Sequence, residues 1–248
     1  MTTISIINQK GGVGKTTSTY NIASVLAMNN YKVLMIDSDS QASLTLMTAN
    51  NPLNIENNLC SVYEGKSIED CIYQTKIKNL SIISSSLALA KTEAMLMSVT
   101  IGRETKIKKA LNKIKKNFDF VIIDCPPSLG LLTINNLVAS DFIIAPCETT
   151  ALSIYALDDL KDTIDEIKEI NSNLKFLGVI ATKFDKRINK DKEILDELKK
   201  DYTILGVIKN SVDARKGIEE GLPTVIFNSK SEVAKAYIEI VEKILGGI

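Results

Sequence analysis

The sequence predicts an α/β fold with a single doubly wound, mostly parallel sheet flanked by helices. Short runs of β-branched and other apolar residues alternate with longer segments of helical periodicity, as in repeated strand–helix–strand units. The predicted strands are apolar without interruption, which is typical of strands covered by helices on both faces. With 248 residues, 45% of them hydrophobic, the chain can form one sizeable core, so we expect residues 1–248 to be a single domain.

Seven segments have the composition of buried strands. They are Ile4–Ile7, Lys32–Ile36, Leu80–Ser84, Phe120–Ile123, Phe142–Pro146, Phe176–Ala181 and a weaker one, Tyr202–Ile208. Helical periodicity is found in Thr16–Asn29, Arg103–Asn117, Ala151–Asn171, Lys190–Lys200 and Ser231–Leu245. Parallel strands joined through a helix form right-handed crossovers, so this alternation predicts a sheet with helices on its faces.

Charge and cysteine content restrict the partners and the compartment. Thirty basic and thirty acidic residues cancel, so contact with nucleic acid requires a local basic patch. Four cysteines without a CxxC pair, in a chain without histidine, argue against a zinc site or a disulfide framework and favour a reducing cytoplasm. We expect neither a targeting leader nor a membrane span, because no basic leader precedes the hydrophobic segment at Thr3 and no apolar stretch is long enough.

The first predicted strand is followed by a glycine-rich loop that opens a helix. Residues 8–17 read NQKGGVGKTT, and such a loop directs backbone N–H groups and a helix dipole at an anion. Here Lys15 would reach the β- and γ-phosphates and the Thr16 hydroxyl would bind Mg²⁺. The pattern GxxxxGK[ST] is not met, because Gln9 stands at the position of its first glycine. The loop is therefore a variant, with an additional lysine at Lys10.

Carboxylates follow two further strands at the same predicted edge of the sheet. Asp37 and Asp39 come directly after the second strand, and Asp124 comes directly after the strand Phe120–Ile123. Doubly wound sheets bind ligands at the carboxyl ends of their strands, beside the loop of the first strand. Phosphoryl transfer needs a group that supports the metal and a group that orients water. The loop and these carboxylates together predict a nucleotide-hydrolysing site.

These motifs resemble the ParA/MinD superfamily of P-loop ATPases. The run KGGVGKTT at 10–17 resembles its deviant Walker A motif, and DSDSQ at 37–41 resembles its DxDxQ segment. The segment DCPPSLGLLT at 124–133 is similar to the Walker B region of ParA/Soj proteins, as are ASDFIIAP at 139–146 and the stretch 221–245. The resemblance covers nearly the whole chain and implies a P-loop NTPase fold of the deviant Walker A type.

The resemblance implies a role for each matching residue. The phosphates would be held by Lys10, Gly11, Gly12, Val13, Gly14, Lys15, Thr16 and Thr17. Lys10 would be the signature lysine that reaches the partner's nucleotide in a dimer, and Asp39 would position the attacking water, which makes Lys10, Lys15 and Asp39 the catalytic residues. Thr16 would bind Mg²⁺, Asp124 would support that ion through water, and Asp37 would have a structural or indirect role.

The expected substrate is ATP. The segment TKFD at 182–185 has a superficial likeness to the NKxD guanine signature of GTPases, but threonine replaces asparagine, and the whole-chain resemblance is to adenine-binding proteins. Asn210 matches the region where ParA-like proteins hold adenine, although the proline usual there is missing. Asn210 is therefore the candidate contact to the base.

The resemblance also implies non-specific DNA binding by the ATP-bound dimer. Arg187 matches an arginine of the family's DNA surface, whereas Asp213 stands where a second arginine is expected. Arg215 and Lys216 would replace that arginine if the loop is shifted. Seven basic residues at 103–116 lie on a predicted amphipathic helix, a pattern that is also typical of an ordinary solvated face.

The function that the resemblance implies is DNA segregation. A ParA-like ATPase would form a homodimer on ATP, bind double-stranded DNA, and hydrolyse ATP slowly until a ParB-like partner accelerates it. We expect a cytoplasmic protein, associated with the nucleoid when ATP-bound, without a helix-turn-helix before Ile4. The alternative is a MinD-like or other ParA-like positioner of a protein cargo, held by membrane or protein contacts. The apolar stripe of Ser231–Leu245 suits core packing, so no membrane contact is expected.

Overall fold

The computed structural model describes residues 1–48, 55–211, 216–217 and 219–248. Within these ranges the strands are β1 (Thr2–Ile6), β2 (Val33–Asp37), β3 (Ile72–Gln74), β4 (Leu80–Ile83), β5 (Phe120–Asp124), β6 (Phe142–Glu148), β7 (Lys175–Phe184) and β8 (Ile204–Lys209). They form one sheet in the order β3-β4-β2-β5-β1-β6-β7-β8. Every neighbouring pair is parallel except β3 and β4. The predicted doubly wound, mostly parallel sheet is confirmed.

Helices cover both faces of this sheet. They are α1 (Lys15–Met28), α2 (Ser43–Thr48), α3 (Leu59–Tyr63), α4 (Ala88–Met97), α5 (Lys106–Lys113), α6 (Leu131–Ala139), α7 (Ala151–Lys168), α8 (Asn189–Asp201), α9 (Thr224–Phe227) and α10 (Glu232–Gly247). One apolar cluster packs α3 to α8 against the sheet, and a second packs α1, α2, α9 and α10 against the other face. Strand β5 shows the alternation that this requires, because Val121 and Ile123 belong to the first cluster and Ile122 to the second.

The structure corrects the sequence prediction at several elements. The predicted helix over 103–117 is a 3₁₀ turn at Arg103–Thr105 followed by α5, which ends at Lys113. The chain then turns through hydrogen bonds between residues three apart, so that it can enter β5. The antiparallel β3 was not predicted, because three residues are too short for a periodic signal.

Helix α6 was also not predicted, and its sequence explains why. It carries two asparagines on its buried side, which obscure an apolar stripe. The Asn135 amide donates to the carbonyl of Arg103 at 2.8 Å and to that of Leu131 at 2.9 Å. The burial of Asn135 is therefore compensated by a tertiary contact that the local sequence does not reveal.

Gly178 should be among the positions of the sheet that tolerate substitution least. A Cβ at this residue would lie 2.5 Å from the backbone oxygen of Thr203, at the start of the chain segment that pairs with β7. We expect Gly178→Ala to lower the free energy of unfolding by about 2 kcal/mol, because the strand must move to relieve this overlap. Gly246→Ala is the matched control, since nothing lies within 4 Å of its added Cβ. Urea unfolding of the two variants compares them, and equal stabilities would contradict the close approach.

Candidate functional site

The candidate site lies where three neighbouring strands end. In the register of the sheet, Ile6 of β1 and Asp37 of β2 both pair with Asp124 of β5. The glycine-rich loop leaves β1 directly after Ile6 and runs to α1. The loop and the predicted carboxylates therefore meet at one edge of the sheet, as ligand sites do in this class of fold.

The glycine-rich loop has the backbone form that an anion site requires. Gly12 and Gly14 have φ values of 74° and 92°, in the left-handed region that glycine adopts without strain. Gly14 is the N-cap of α1 and makes no side-chain capping bond, so the positive end of the helix faces the loop. Gly11 and Gly12 are exposed, with nothing within 4 Å of an added Cβ. The loop is open on the side from which a phosphate would enter.

Lys15 lies beneath this loop. It is 8% exposed, and its Nζ donates to the carbonyl oxygens of Asn8 at 3.0 Å and Lys10 at 3.2 Å. Burial lowers the pKa of Lys15, while the nearby carboxyl of Asp124 opposes that shift. Asn8 holds the start of the loop, because its side chain donates to the carbonyl of Pro146 at 2.8 Å and accepts from the N–H of Lys10 at 2.9 Å. The ammonium of Lys15 is thus placed inside the loop that would surround the phosphates.

Asp124 has the environment expected of a group that supports a cation. It is buried, its Oδ1 accepts a hydrogen bond from the Thr19 hydroxyl at 3.4 Å, and its Oδ2 is buried without a hydrogen-bond partner. Burial first, and then the charge of Asp37, raise the pKa of Asp124 well above its usual value, while the Thr16 hydroxyl and Lys15 oppose the shift. An unpaired buried carboxylate oxygen beside a threonine hydroxyl fits hydrated Mg²⁺.

The nucleotide would have to supply further ligands of such an ion. Among the described residues, no group of three or more Cys, Asp or Glu side chains is placed to hold a metal ion. Mg²⁺ keeps several waters and binds through one or two protein oxygens together with substrate phosphates in nucleotide sites. Thr16 and Asp124 supply the one or two protein oxygens that such a site needs.

The four cysteines, at positions 60, 71, 125 and 147, are buried and form no disulfide bonds.

Asp37 and Asp39 differ in their surroundings. Asp37 is buried and fully bonded: its Oδ2 accepts from the N–H and the hydroxyl of Thr45, both at 2.8 Å, and its Oδ1 accepts from the N–H of Asp39 at 3.2 Å. Burial raises the pKa of Asp37 to about 6, against these hydrogen bonds. Asp39 is half-buried, and its Oδ1 accepts from the N–H of Gln41 at 2.9 Å. Asp39 is therefore the carboxylate of the pair that a water can reach.

Lys10 lies outside the loop that encloses Lys15. Its side chain is 34% exposed, and its Nζ forms an ion pair with Glu148 at the end of β6 and lies 3.4 Å from the Thr150 hydroxyl. Glu148 pairs through its other oxygen with Lys183 of β7. The two lysines lower the pKa of Glu148, although burial opposes them. Sequence reasoning missed Glu148, and its position at the carboxyl end of a predicted strand was the available signal.

The predicted base region is a cleft beside the loop. The Thr182 hydroxyl donates to the carbonyl of Val13 at 2.9 Å, which joins β7 to the loop. Beyond it a cleft of about 360 Å³ is lined by residues 184–187, 209–211 and Glu232. Asn210 is exposed in this cleft, and Thr17 is half-buried in the first turn of α1. The structure thus brings Asn210 to the same side of the sheet as the loop.

The predicted DNA contacts are only partly described. Arg187 is 84% exposed, and its Nε and Nη2 bind both carboxylate oxygens of Asp185. Its positive charge is therefore paired within its own turn. Lys216 is exposed, whereas Arg215 and Asp213 lie outside the described residues. In the part of the chain that the structure covers, no helix is both long enough and apolar enough to cross a bilayer.

Comparison with protein families and curated sequences is consistent with this geometry. A family model described as an AAA domain matches residues 1–176. The chain is 35% identical over 246 residues to the sporulation initiation inhibitor protein Soj of Bacillus subtilis, covering 97% of both chains. It is 31% identical over 247 residues to the chromosome partitioning protein ParA of Myxococcus xanthus, covering 96% of this chain and 85% of that one.

Solved structures with the same fold contain nucleotide and magnesium. The cobyrinic acid a,c-diamide synthase of Mycobacterium smegmatis with bound ADP and magnesium aligns with a TM-score of 0.83 at 31% identity, covering 99% of this chain and 94% of that one. The septum site-determining protein MinD of Pyrococcus horikoshii, complexed with Mg-ADP, aligns with a TM-score of 0.82 at 25% identity, covering 99% and 97%.

The unpaired oxygen of Asp124 leads to a test with a matched control. We expect Asp124→Asn to lower the melting temperature of the nucleotide-free protein less than Asp37→Asn does, because the Oδ2 of Asp124 accepts no hydrogen bond that could be lost. The same variant should lose the rise in melting temperature that Mg-ATP causes in the wild type.

Asp37→Asn makes the identical chemical change on the neighbouring strand. It should lower the free energy of unfolding by about 1–3 kcal/mol, since an amide group replaces an acceptor that Thr45 uses twice. Differential scanning calorimetry with and without Mg-ATP separates the two variants. Equal destabilisation of both, with the Mg-ATP response of Asp124→Asn intact, would contradict the metal assignment.

Proposed function

This chain belongs to the ParA/MinD type of P-loop ATPases, and from that membership we propose that it segregates DNA. In this proposal residues 1–248 act as one ATPase domain that dimerises on ATP and binds double-stranded DNA without sequence preference. A ParB-like partner accelerates an otherwise slow hydrolysis and releases the DNA. The observation that carries the proposal is the placement of the two loop lysines, with Lys15 inside the loop and Lys10 outside it.

The chemistry assigned to the chain's residues follows from that placement. Lys15 and the backbone N–H groups of residues 11–17 hold the β- and γ-phosphates, where they stabilise the charge that accumulates on phosphoryl oxygens. Asp39 orients the attacking water. Thr16 and Asp124 hold Mg²⁺, which neutralises phosphate charge when it is bound with ATP. Asn210 contacts the adenine from the cleft at the end of β8.

Lys10 is assigned to the nucleotide of a second copy of the chain. Its amine is held by Glu148 at the surface of the site, so it is available to a partner once that pair opens. Leu152 and Tyr155, in the first turns of α7 directly after Thr150, are 73% and 69% exposed. Apolar side chains exposed beside a charged site are typical of an interface. They support a homodimer whose contact face includes the nucleotide edge of the sheet.

The DNA surface of the proposal consists of Arg187, Arg215 and Lys216. Each phosphate contact is weak and sensitive to salt, so several cations must act on one face. Arg187 contributes only if phosphate competes with Asp185 for its guanidinium. The proposed location is the cytoplasm, with nucleoid association in the ATP-bound state.

The Arg187–Asp185 pair also favours a second candidate function. If this arginine stays neutralised, the ATP-switched dimer would position a protein cargo instead of DNA. The switch itself, with Lys10, Lys15 and Asp39 in the same roles, is common to both functions. Only the surface that the closed dimer presents differs between them.

The role of Lys10 is tested by ATP-dependent dimerisation. We expect Lys10→Ala to abolish the dimer that ATP induces, because no cation would then cross to the partner's phosphates. Lys183→Ala is the matched control, since Lys183 also pairs with Glu148 but lies outside the loop. Light scattering after size exclusion, with ATP and with ADP, measures both variants. A Lys10→Ala protein that dimerises like the wild type would refute the assignment in trans.

Asp39→Ala should keep the dimer and lower the rate of ATP hydrolysis at least about 100-fold, because the water loses its orienting group.

This variant therefore suits a DNA-binding measurement on a stable ATP-bound state. In the presence of ATP we expect this variant to bind non-specific duplex DNA through the surface around Arg187, with an affinity that falls steeply as salt rises. In the presence of ADP that surface should not bind. Arg187→Ala on this background should weaken the ATP-dependent part. A confirmed dimer without any ATP-dependent binding would favour the protein-cargo function.

A further inference from the structure

A second basic surface lies at the opposite edge of the sheet from the nucleotide loop. We name it the lysine face and define it by Lys32, Lys76, Lys78, Lys115 and Lys116, all of which are exposed. Lys32 directly precedes β2, Lys76 and Lys78 lie in the turn before β4, and Lys115 and Lys116 lie in the turn before β5. Because β4, β2 and β5 are adjacent and parallel, these segments come together at the amino ends of the three strands.

A cleft confirms that the segments meet in space. An open cleft of about 560 Å³ lies between Lys32, the turn 74–79, Ser81 and the pair Asn117 and Phe118. Lys115 lines a neighbouring cleft that includes Met1 at the start of β1. Lys32, Lys76 and Lys78 therefore line one cleft built from distant parts of the sequence, and Lys115 lies at a second cleft.

The positive charge of this surface is not neutralised by the protein. In the described ranges, none of the five lysines has a carboxylate within ion-pair distance, whereas Lys168, Lys199 and Lys200 on α7 and α8 each pair with an acid three residues earlier. The acid within these segments is Asp119, whose Oδ2 accepts from the backbone N–H of Lys32 at 2.8 Å. The lining of the first cleft contains three lysines and no carboxylate, and the cleft at Lys115 adds Lys108 and one acid, Asp141. The whole chain has a net charge of zero, so charge is strongly segregated.

The chemistry of the lysine face suits a phosphate polymer better than a lipid surface. Its two large apolar side chains, Ile77 and Phe118, pack against the core clusters, so they are not available to insert into a bilayer. Ammonium groups and the amides of Asn79 and Asn117 remain at the cleft. Adjacent strands are about 4.8 Å apart, so the row from β4 to β5 is roughly 10 Å long. Duplex DNA presents one phosphate charge per about 1.7 Å of axis, which places several phosphates within that length.

The lysine face is separated from the nucleotide edge by the length of the strands. Lys32 and Asp37 lie at opposite ends of β2, and a strand rises about 3.3 Å per residue, which gives a separation of roughly 16 Å. ATP-driven closure at the nucleotide edge would leave the opposite edge uncovered. We propose that the lysine face is a second DNA-binding surface, which contacts the phosphate backbone of duplex DNA whether or not ATP is bound. This goes beyond the proposed function, in which hydrolysis releases only the ATP-dependent contact around Arg187, Arg215 and Lys216.

The test uses the full chain without nucleotide, confirmed as monomeric by light scattering. We expect it to bind a non-specific duplex at about 50 mM salt, and Lys32→Gln/Lys76→Gln/Lys78→Gln to weaken that binding at least about tenfold and reduce the salt slope by about 2–3. Lys168→Gln/Lys199→Gln/Lys200→Gln removes the same charge elsewhere and should bind within about twofold of the wild type. Equal melting temperatures exclude misfolding as the cause of a loss.

The outcomes separate this inference from the proposed function. Failure of the nucleotide-free wild type to bind duplex, or equal losses in both triple variants, would overturn the inference. Binding to phosphatidylserine vesicles without binding to duplex would overturn it as well. Loss in the first triple variant alone would support it, even if the Asp39→Ala dimer shows no ATP-dependent binding, since that result bears only on the surface around Arg187.

Discussion

The pairing of β5 between β1 and β2 is the constraint on which the site depends. Because the three strands are parallel and in register, Ile6, Asp124 and Asp37 end at the same level. Two carboxylates on adjacent strands are thereby buried together, and burial and their mutual repulsion raise the pKa of Asp124. Lys15, which lies beneath the loop, and the hydroxyl of Thr16 in α1 oppose this rise in pKa. A bound divalent ion would satisfy the Oδ2 of Asp124, which is buried without a hydrogen-bond partner.

The two lysines of the glycine-rich loop differ in burial. The Nζ of Lys15 donates to two carbonyl oxygens of the loop. A bound phosphate would take over these hydrogen bonds. Lys10 is bound by Glu148, which it shares with Lys183. A carboxylate between two ammonium groups holds Lys10 at the surface of the site. In the proposed switch, a second copy of the chain competes with Glu148 for Lys10, so that closure and chemistry are coupled.

The neutral composition conceals an uneven distribution of charge. Arg187, which resemblance places on a DNA surface, is paired with Asp185. Lys209, at the end of β8, is paired with Glu232. The lysines at the amino ends of β2, β4 and β5 have no such partners among the described residues. Electrostatic attraction of a polyanion depends on unpaired cations that share a face, so the proposed DNA surfaces differ in how far ion pairs neutralise their charge.

The fold class, seven of the eight strands in the described ranges, and the loop with its lysines and carboxylates could be predicted from the amino-acid sequence. These features are local: an apolar run, a glycine spacing, or an acid directly after a strand keeps its meaning wherever the segment packs. Four features could not be predicted in this way: the asparagine-bearing α6, the pairing of Lys10 with Glu148, the unpaired oxygen of Asp124 and the lysine face. Each of these depends on residues that are distant in the chain and are brought together by strand order, which local periodicity does not encode.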